Sequence, residues 1–174
     1  NPDGAPDEGA LWVAPIHYKE MKVGSTLKTV FLFGTNSSVW MTQDALKGNP
    51  VWFRLYSPGA VGLSAITMAP DGKTVFAATQ GGNVLRIRVP SLWDSTYRYT
   101  DTISNMPSGG PYNYPLYSSC QTSSIANFPG RFVTDLSCDA TGNTVLVTLG
   151  NYSNNSYIYK LSDAVDSTTP TATD

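Results

Sequence analysis

An internal repeat constrains the fold of this 174-residue chain more than any other feature of its sequence. Residues 29–42 can be laid over residues 74–87 without a gap, at an offset of 45, and both segments begin with Thr-Val-Phe. A period of this size is typical of chains that stack copies of one small supersecondary unit. The sequence therefore predicts several similar units rather than one irregular fold.

A second correspondence extends the repeat toward the end of the chain. Residues 65–76 lie over residues 135–146, with a shared Gly-x-Thr-Val pattern. After a longer Asn-Ser turn, Val-Leu-Arg-Ile at 84–87 corresponds to Ile-Tyr-Lys-Leu at 158–161. We therefore predict three copies of the unit.

Each unit reads as a series of short strands joined by tight turns. Only 14% of the residues are charged, against about 25% in an average domain, and Asp-Gly and Gly-Gly pairs separate the alternating apolar runs. Four antiparallel strands per unit make a propeller blade. We predict an all-β fold, a β-propeller fragment of about three four-stranded antiparallel blades. A β-sandwich is the alternative, although its strands need not repeat as a block.

The predicted layout places a linker at residues 1–9 and a partial propeller at 10–174. The blades are expected at about 10–57, 60–103 and 131–174, with an insertion loop at 104–130. In the middle blade, the outermost strand is predicted at 95–102. In the third blade, the outer strand is expected to be absent or lost in the Thr/Pro-rich tail.

The segments 68–78 and 81–87 resemble those of YVTN, WD-repeat-like and sortilin-like propellers. The segment around Thr42, Asp44 and Trp52 also resembles a loosened Asp-box, although Gly48 follows two positions late. That resemblance implies a structural turn on the outer rim, in which Asp44 accepts backbone N–H bonds. It also implies a closed ring of six to ten blades. The remaining blades are then expected from the same protein or another chain.

Composition and residue types exclude several functions. A net charge of -2 offers nothing to a polyanion such as nucleic acid, and no apolar stretch approaches the roughly 20 residues of a spanning helix. The single histidine, His17, cannot build a histidine metal site alone. We predict no catalytic residues, no metal site and no cofactor, with calcium at Asp135 and Asp139 as a minor alternative to ordinary turn caps.

The insertion loop and the cysteines supply the remaining site predictions. Tyr112, Tyr114 and Tyr117 stand among prolines, where they offer rigid contact area to a protein or glycan ligand. The alternative is that this loop packs over its own blade or caps the centre of the ring. Cys120 and Cys138 are a candidate disulfide, and the alternative is that Cys138 is a small buried apolar residue.

The expected function is a noncatalytic binding or scaffolding module of a secreted or cell-surface protein. Asn-x-Ser acceptor patterns in predicted turns, beginning at Asn36, Asn151 and Asn154, favour an extracellular location. One alternative is part of a sialidase-like, glycan-processing propeller enzyme whose catalytic residues lie on missing blades. Another is a purely structural spacer or adhesin stalk.

Overall fold

The computed structural model describes residues 11, 13–23, 25–42, 45–46, 52–57, 59, 61–89, 120–151 and 155–174. Within these residues the chain contains strands and turns and no helix. The twelve strands are β1 Ile16–Val23, β2 Thr26–Gly34, β3 Val39–Thr42, β4 Trp52–Tyr56, β5 Leu63–Met68, β6 Thr74–Thr79, β7 Asn83–Arg88, β8 Gln121–Asn127, β9 Val133–Cys138, β10 Thr144–Leu149, β11 Ile158–Ser162 and β12 Thr171–Thr173.

The strands form three separate sheets of four, which we call sheet A (β1–β4), sheet B (β5–β8) and sheet C (β9–β12). Every neighbouring pair is antiparallel, and the strand order within each sheet follows the chain. The predicted all-β class and four strands per unit are confirmed.

Two apolar cores hold the three sheets together in series. One core lies between sheets A and B and includes Leu32 and Ala77. The other lies between sheets B and C and includes Val147. All three side chains are inaccessible to solvent, and each lies on a second strand between two sheets. The first strands also meet, because β5 packs against both β1 and β9.

The turn that joins the first two strands is the same in sheets B and C. In sheet B the Ala69 N–H donates to the Thr74 carbonyl at 2.8 Å and the Gly72 N–H donates to the Ala69 carbonyl at 3.1 Å. In sheet C the corresponding bonds join Asp139 to Thr144 and Gly142 to Asp139, at 2.9 and 3.1 Å. Both glycines have a positive φ, which explains why glycine recurs there. This second correspondence is confirmed.

The first correspondence is wrong by one residue in the second strand. Leu32 faces sheet B, whereas Ala77, its predicted equivalent, faces sheet A. Because the sheets stack as A, B, C, the face of A toward B corresponds to the face of B toward C. Phe76 lies on that face of sheet B, so Phe76 is the true equivalent of Leu32. The identical Thr-Val-Phe triplets are therefore not equivalent.

The fourth strands also differ from the prediction. In sheet B the place beside β7 is taken by β8, so 121–127 belongs to the sheet rather than to an insertion loop. The strand predicted at 95–102 lies outside the described residues. In sheet C a short outer strand is present after all, because β12 pairs with β11.

Candidate functional site

Some of the predicted site residues can be placed and some cannot. Tyr112, Tyr114, Tyr117 and Asp44 lie outside the described residues. Thr42 and Trp52, the other two residues of the Asp-box-like segment, are direct register partners on β3 and β4. The structure therefore brings these two together.

Thr42 and Trp52 belong to the face of sheet A that points away from sheet B. We call this the outer face of sheet A, and define it by two rows of register partners that cross all four strands. The rows are Tyr18, Phe31, Thr42, Trp52 and Ile16, Phe33, Trp40, Arg54. Ile16 and Tyr18 are well exposed, Phe31, Phe33 and Trp52 are half-buried, and Trp40 and Thr42 are inaccessible to solvent.

Ring contacts tie the outer face of sheet A together. The Trp52 ring stands edge-on to Phe31 and to Phe33, with centroids 6.1 and 5.0 Å apart. Phe33 is stacked on Trp40 at 6.4 Å, and the Arg54 guanidinium lies 5.9 Å from the centre of the Trp40 ring. Edge-to-face and cation–π geometries of this kind are favourable. Sequence reasoning missed this cluster because it assigned Trp52 only to a turn motif.

Sheet C presents a different face at the other end of the stack. The outer face of sheet C carries Asp135, Ser137, Leu146, Thr148, Ile158 and Lys160, which alternate with the residues buried against sheet B. Leu146 and Ile158 are 45% and 57% exposed. This face is therefore mainly polar with two exposed aliphatic side chains.

A buried arginine joins sheets B and C. Arg86 on β7 is only 5% exposed, and one guanidinium nitrogen donates to the carbonyls of Ala164, Val165 and Ser167 at 3.0, 2.8 and 2.7 Å. These carbonyls follow β11 in sheet C. A buried cation needs such partners, so the contact fixes sheet C against sheet B.

A lysine makes a different joint between sheets A and B, from the first strand rather than the third. Lys19 on β1 donates to the Ala69 carbonyl at 3.0 Å. Burial lowers the pKa of Lys19, and the nearby Cys138 and Asp71 act in the opposite direction. This lysine therefore ties the first strand of sheet A to the end of the first strand of sheet B.

His17 lies two residues before Lys19, and its side chain points to the same side of β1. Its Nε2 is buried and has no hydrogen-bond partner. Burial, together with the charge of Lys19, lowers the pKa of His17 below 6.5. Protonation would place a second cation in an enclosed site beside a lysine.

We expect the free energy of unfolding to fall as the pH drops below about 6.5, because the unfolded chain then binds a proton at His17 before the folded chain does. The variant His17→Leu should lose this part of the pH dependence, because leucine fills the site with an apolar side chain that does not titrate. Urea unfolding gives the free energy of unfolding of the parent and the variant at pH 5 and at pH 7.5. Equal pH dependence in the two proteins would contradict the assignment.

The two cysteines are both free. Cys120 packs against the core between sheets A and B, and Cys138 packs against the core between sheets B and C. The candidate disulfide is thus not formed in the structure. Burial raises the pKa of the Cys120 thiol to about 12 and that of the Cys138 thiol to about 11, so neither is a thiolate near neutral pH.

Asp139, one of the two candidate calcium ligands, serves as a turn cap. Its carboxylate accepts bonds from the Thr141 hydroxyl at 3.0 Å and from the Thr144 N–H at 3.2 Å. Partial desolvation raises the pKa of Asp139, but these hydrogen bonds outweigh it and hold the pKa below its usual value. Asp135 lies on β9. Over the described residues, no three His, Cys, Asp or Glu side chains are grouped as metal ligands would be.

The polar contacts described above hold neighbouring sheets together. Two cationic side chains, Arg86 and Lys19, each donate to a main-chain carbonyl of a neighbouring sheet. In the part of the chain that the structure covers, no helix has the length and apolar character needed to cross a bilayer.

Comparison with known proteins does not add a family. No protein-family model matches the chain, and no curated protein is significantly similar to it.

Proposed function

We propose that the chain is an arc of three blades from a β-propeller and serves as a noncatalytic binding or scaffolding module of a secreted or cell-surface protein. The observation that carries the proposal is the serial stacking of three consecutive four-stranded sheets, with the first strand of B between those of A and C. In a propeller, blades follow one another around an axis and the first strands lie innermost.

The polar joints support the same arrangement. Each sheet reaches the next through a cation that donates to main-chain carbonyls: Lys19 from A to B, and Arg86 from B to C. These contacts join neighbouring sheets in pairs, as in repeat architectures, in which each unit touches only its neighbours. Ligand contacts are proposed at Tyr112, Tyr114 and Tyr117, because loops joined to a rigid scaffold commonly carry binding residues.

The state of the isolated chain in solution tests this function. In an arc of three blades, the outer faces of sheets A and C have no neighbouring sheet, whereas a closed domain would cover them. The outer face of sheet A also carries half-buried aromatic rings. We therefore expect residues 1–174 to associate with other chains or to unfold without a sharp transition. Sedimentation velocity and calorimetry measure both properties. A monomer with one cooperative transition would replace the arc by a self-contained β-fold.

Activity assays test the noncatalytic part of the proposal. We expect no hydrolysis of aryl glycosides or esters by the purified chain. Hydrolysis that a single Tyr or Asp substitution abolishes would instead indicate an enzyme, because contaminating activity would survive that substitution.

A further inference from the structure

The contact between sheets B and C has a donor half and an acceptor half. The donor is Arg86, on the third strand of sheet B. The acceptors begin with the carbonyls of Ala164 and Val165, in the turn that directly follows the third strand of sheet C. Both halves can therefore be sought in the other sheets by position.

The donor half recurs on sheet C as Lys160. Arg86 pairs with Phe76 in sheet B, and Lys160 pairs with Leu146 in sheet C. Phe76 and Leu146 are equivalent in the confirmed correspondence, so Lys160 takes the place of Arg86. Its side chain is exposed on the outer face of sheet C, where a further sheet would find it as sheet C finds Arg86.

The acceptor half recurs on sheet A. Residues 40–46 align without a gap with residues 159–165, and both segments contain Asp-Ala followed by an aliphatic residue. Ala45 and Leu46 thus correspond to Ala164 and Val165, and they too form a turn. Leu46 is 80% exposed. The segment is therefore accessible to solvent, and its place in the repeat corresponds to the place where Ala164 and Val165 meet sheet B.

We propose that a second copy of this chain covers the outer face of sheet C with the outer face of its own sheet A, and that Lys160 donates to the carbonyls at Ala45 and Leu46 of that copy. The proposal rests on the proposed function, since it continues the arc. A second copy fits because one chain carries both missing halves of the joint. Two chains would make the contact twice and close a two-fold ring of six sheets.

The apolar groups on the two faces are consistent with this pairing. Leu146 and Ile158 occupy the places that Phe76 and Val84 hold in the core between B and C. Opposite them would lie the half-buried Phe31 and Phe33, at the places where sheets B and C present aliphatic side chains to their neighbours. Exposed apolar groups on both faces would leave water together.

Sedimentation velocity of the full chain tests the pairing. We expect a dimer of twice the 18.7 kDa chain mass. Lys160→Glu on one face, or Ile16→Asp on the other, should raise the dimer dissociation constant by at least about tenfold, as for a central interface residue. Lys160→Met is the milder version of the first change. Lys73→Glu is the charge-matched control, because Lys73 is exposed in a turn of sheet B, and it should leave the dimer unchanged.

Mixing the two face variants identifies which surfaces meet. Lys160→Glu keeps its sheet A face and Ile16→Asp keeps its sheet C face, so the mixture should form heterodimers through one intact contact. If the parent chain forms dimers but the mixture of the two variants does not associate, the pairing of sheet A with sheet C is wrong. If the parent chain has no defined mass, or is a monomer without a sharp thermal transition, the proposed dimer is wrong but the three-blade arc still stands. A cooperative monomer would overturn both.

Discussion

Replacing Arg86 by methionine is expected to lower the free energy of unfolding by at least about 3 kcal/mol, because hydrogen bonds to charged groups contribute about 1.5–3 kcal/mol each and buried groups left without partners add to the loss. Three carbonyls of sheet C, at Ala164, Val165 and Ser167, would lose the same donor. Methionine retains most of the apolar length of the arginine stem. Urea unfolding of the variant and the parent gives the difference.

Arg88→Met is the matched control for this experiment. Arg88 stands two residues further along β7 and also donates to the Val165 carbonyl. Its side chain is 42% exposed, and its ion pair with Asp166 is 3.7 Å long. We expect a loss of about 1 kcal/mol or less from such an exposed contact. Similar losses for both variants would show that the burial of Arg86 is not what fixes sheet C.

Replacing Gly82 by alanine is expected to cost about 3 kcal/mol or more, as strain and a backbone clash combine. Gly82 has a φ of 93°, which side chains disfavour. A Cβ there would lie 2.0 Å from the Phe128 carbonyl oxygen and 2.9 Å from that of Arg131. Gly82 also accepts the Phe128 N–H at 2.8 Å. The backbone leading from sheet B to sheet C would have to move.

Gly130→Ala separates strain from steric clash. Gly130 has a φ of 70°, but no heavy atom lies within 4 Å of the position that an added Cβ would take. Its loss should be about 1 kcal/mol, the cost of a left-handed residue alone. Both variants can be compared by urea unfolding at one temperature. If Gly82→Ala loses no more than Gly130→Ala, the close approach of Phe128 has no energetic weight.

The sequence correctly indicated strands, turns and burial wherever local chemistry determines them. The Pro-Asp-Gly and Ala-Thr-Gly turns were predictable because glycine at a positive φ leaves a strong signal. The register of the first correspondence, between residues 29–42 and 74–87, was not predictable. Every residue of β6 is buried, because sheet B lies between two others, so no alternation of polar and apolar residues marks its faces. A shift of one residue then leaves the pattern equally plausible.

Two features of sheet B required the three-dimensional structure. The strand β8 is Gln-Thr-Ser-Ser-Ile-Ala-Asn, whose polar residues give a weak strand signal, and it joins β7 across a long separation in sequence. Arg86 looked like an ordinary strand residue because its acceptors are main-chain carbonyls 78 to 81 residues away. Carbonyls carry no residue-type signature, so sequence patterns do not reveal such a joint.

Because β7 pairs with β8, we expect the connection between these two strands to tolerate changes in its length. Arg88 and Gln121 are register partners, so the chain leaves sheet B and returns to it about one strand spacing, roughly 4.8 Å, away. Doubling the length of a flexible connection costs only about 0.6 kcal/mol in closure entropy. Val89 and Cys120, at the two ends of this connection, contact the core between sheets A and B, so we expect the segment between them, rather than these two residues, to tolerate insertions best. Related proteins should differ most in length here, and a foreign recognition peptide is best grafted at this position.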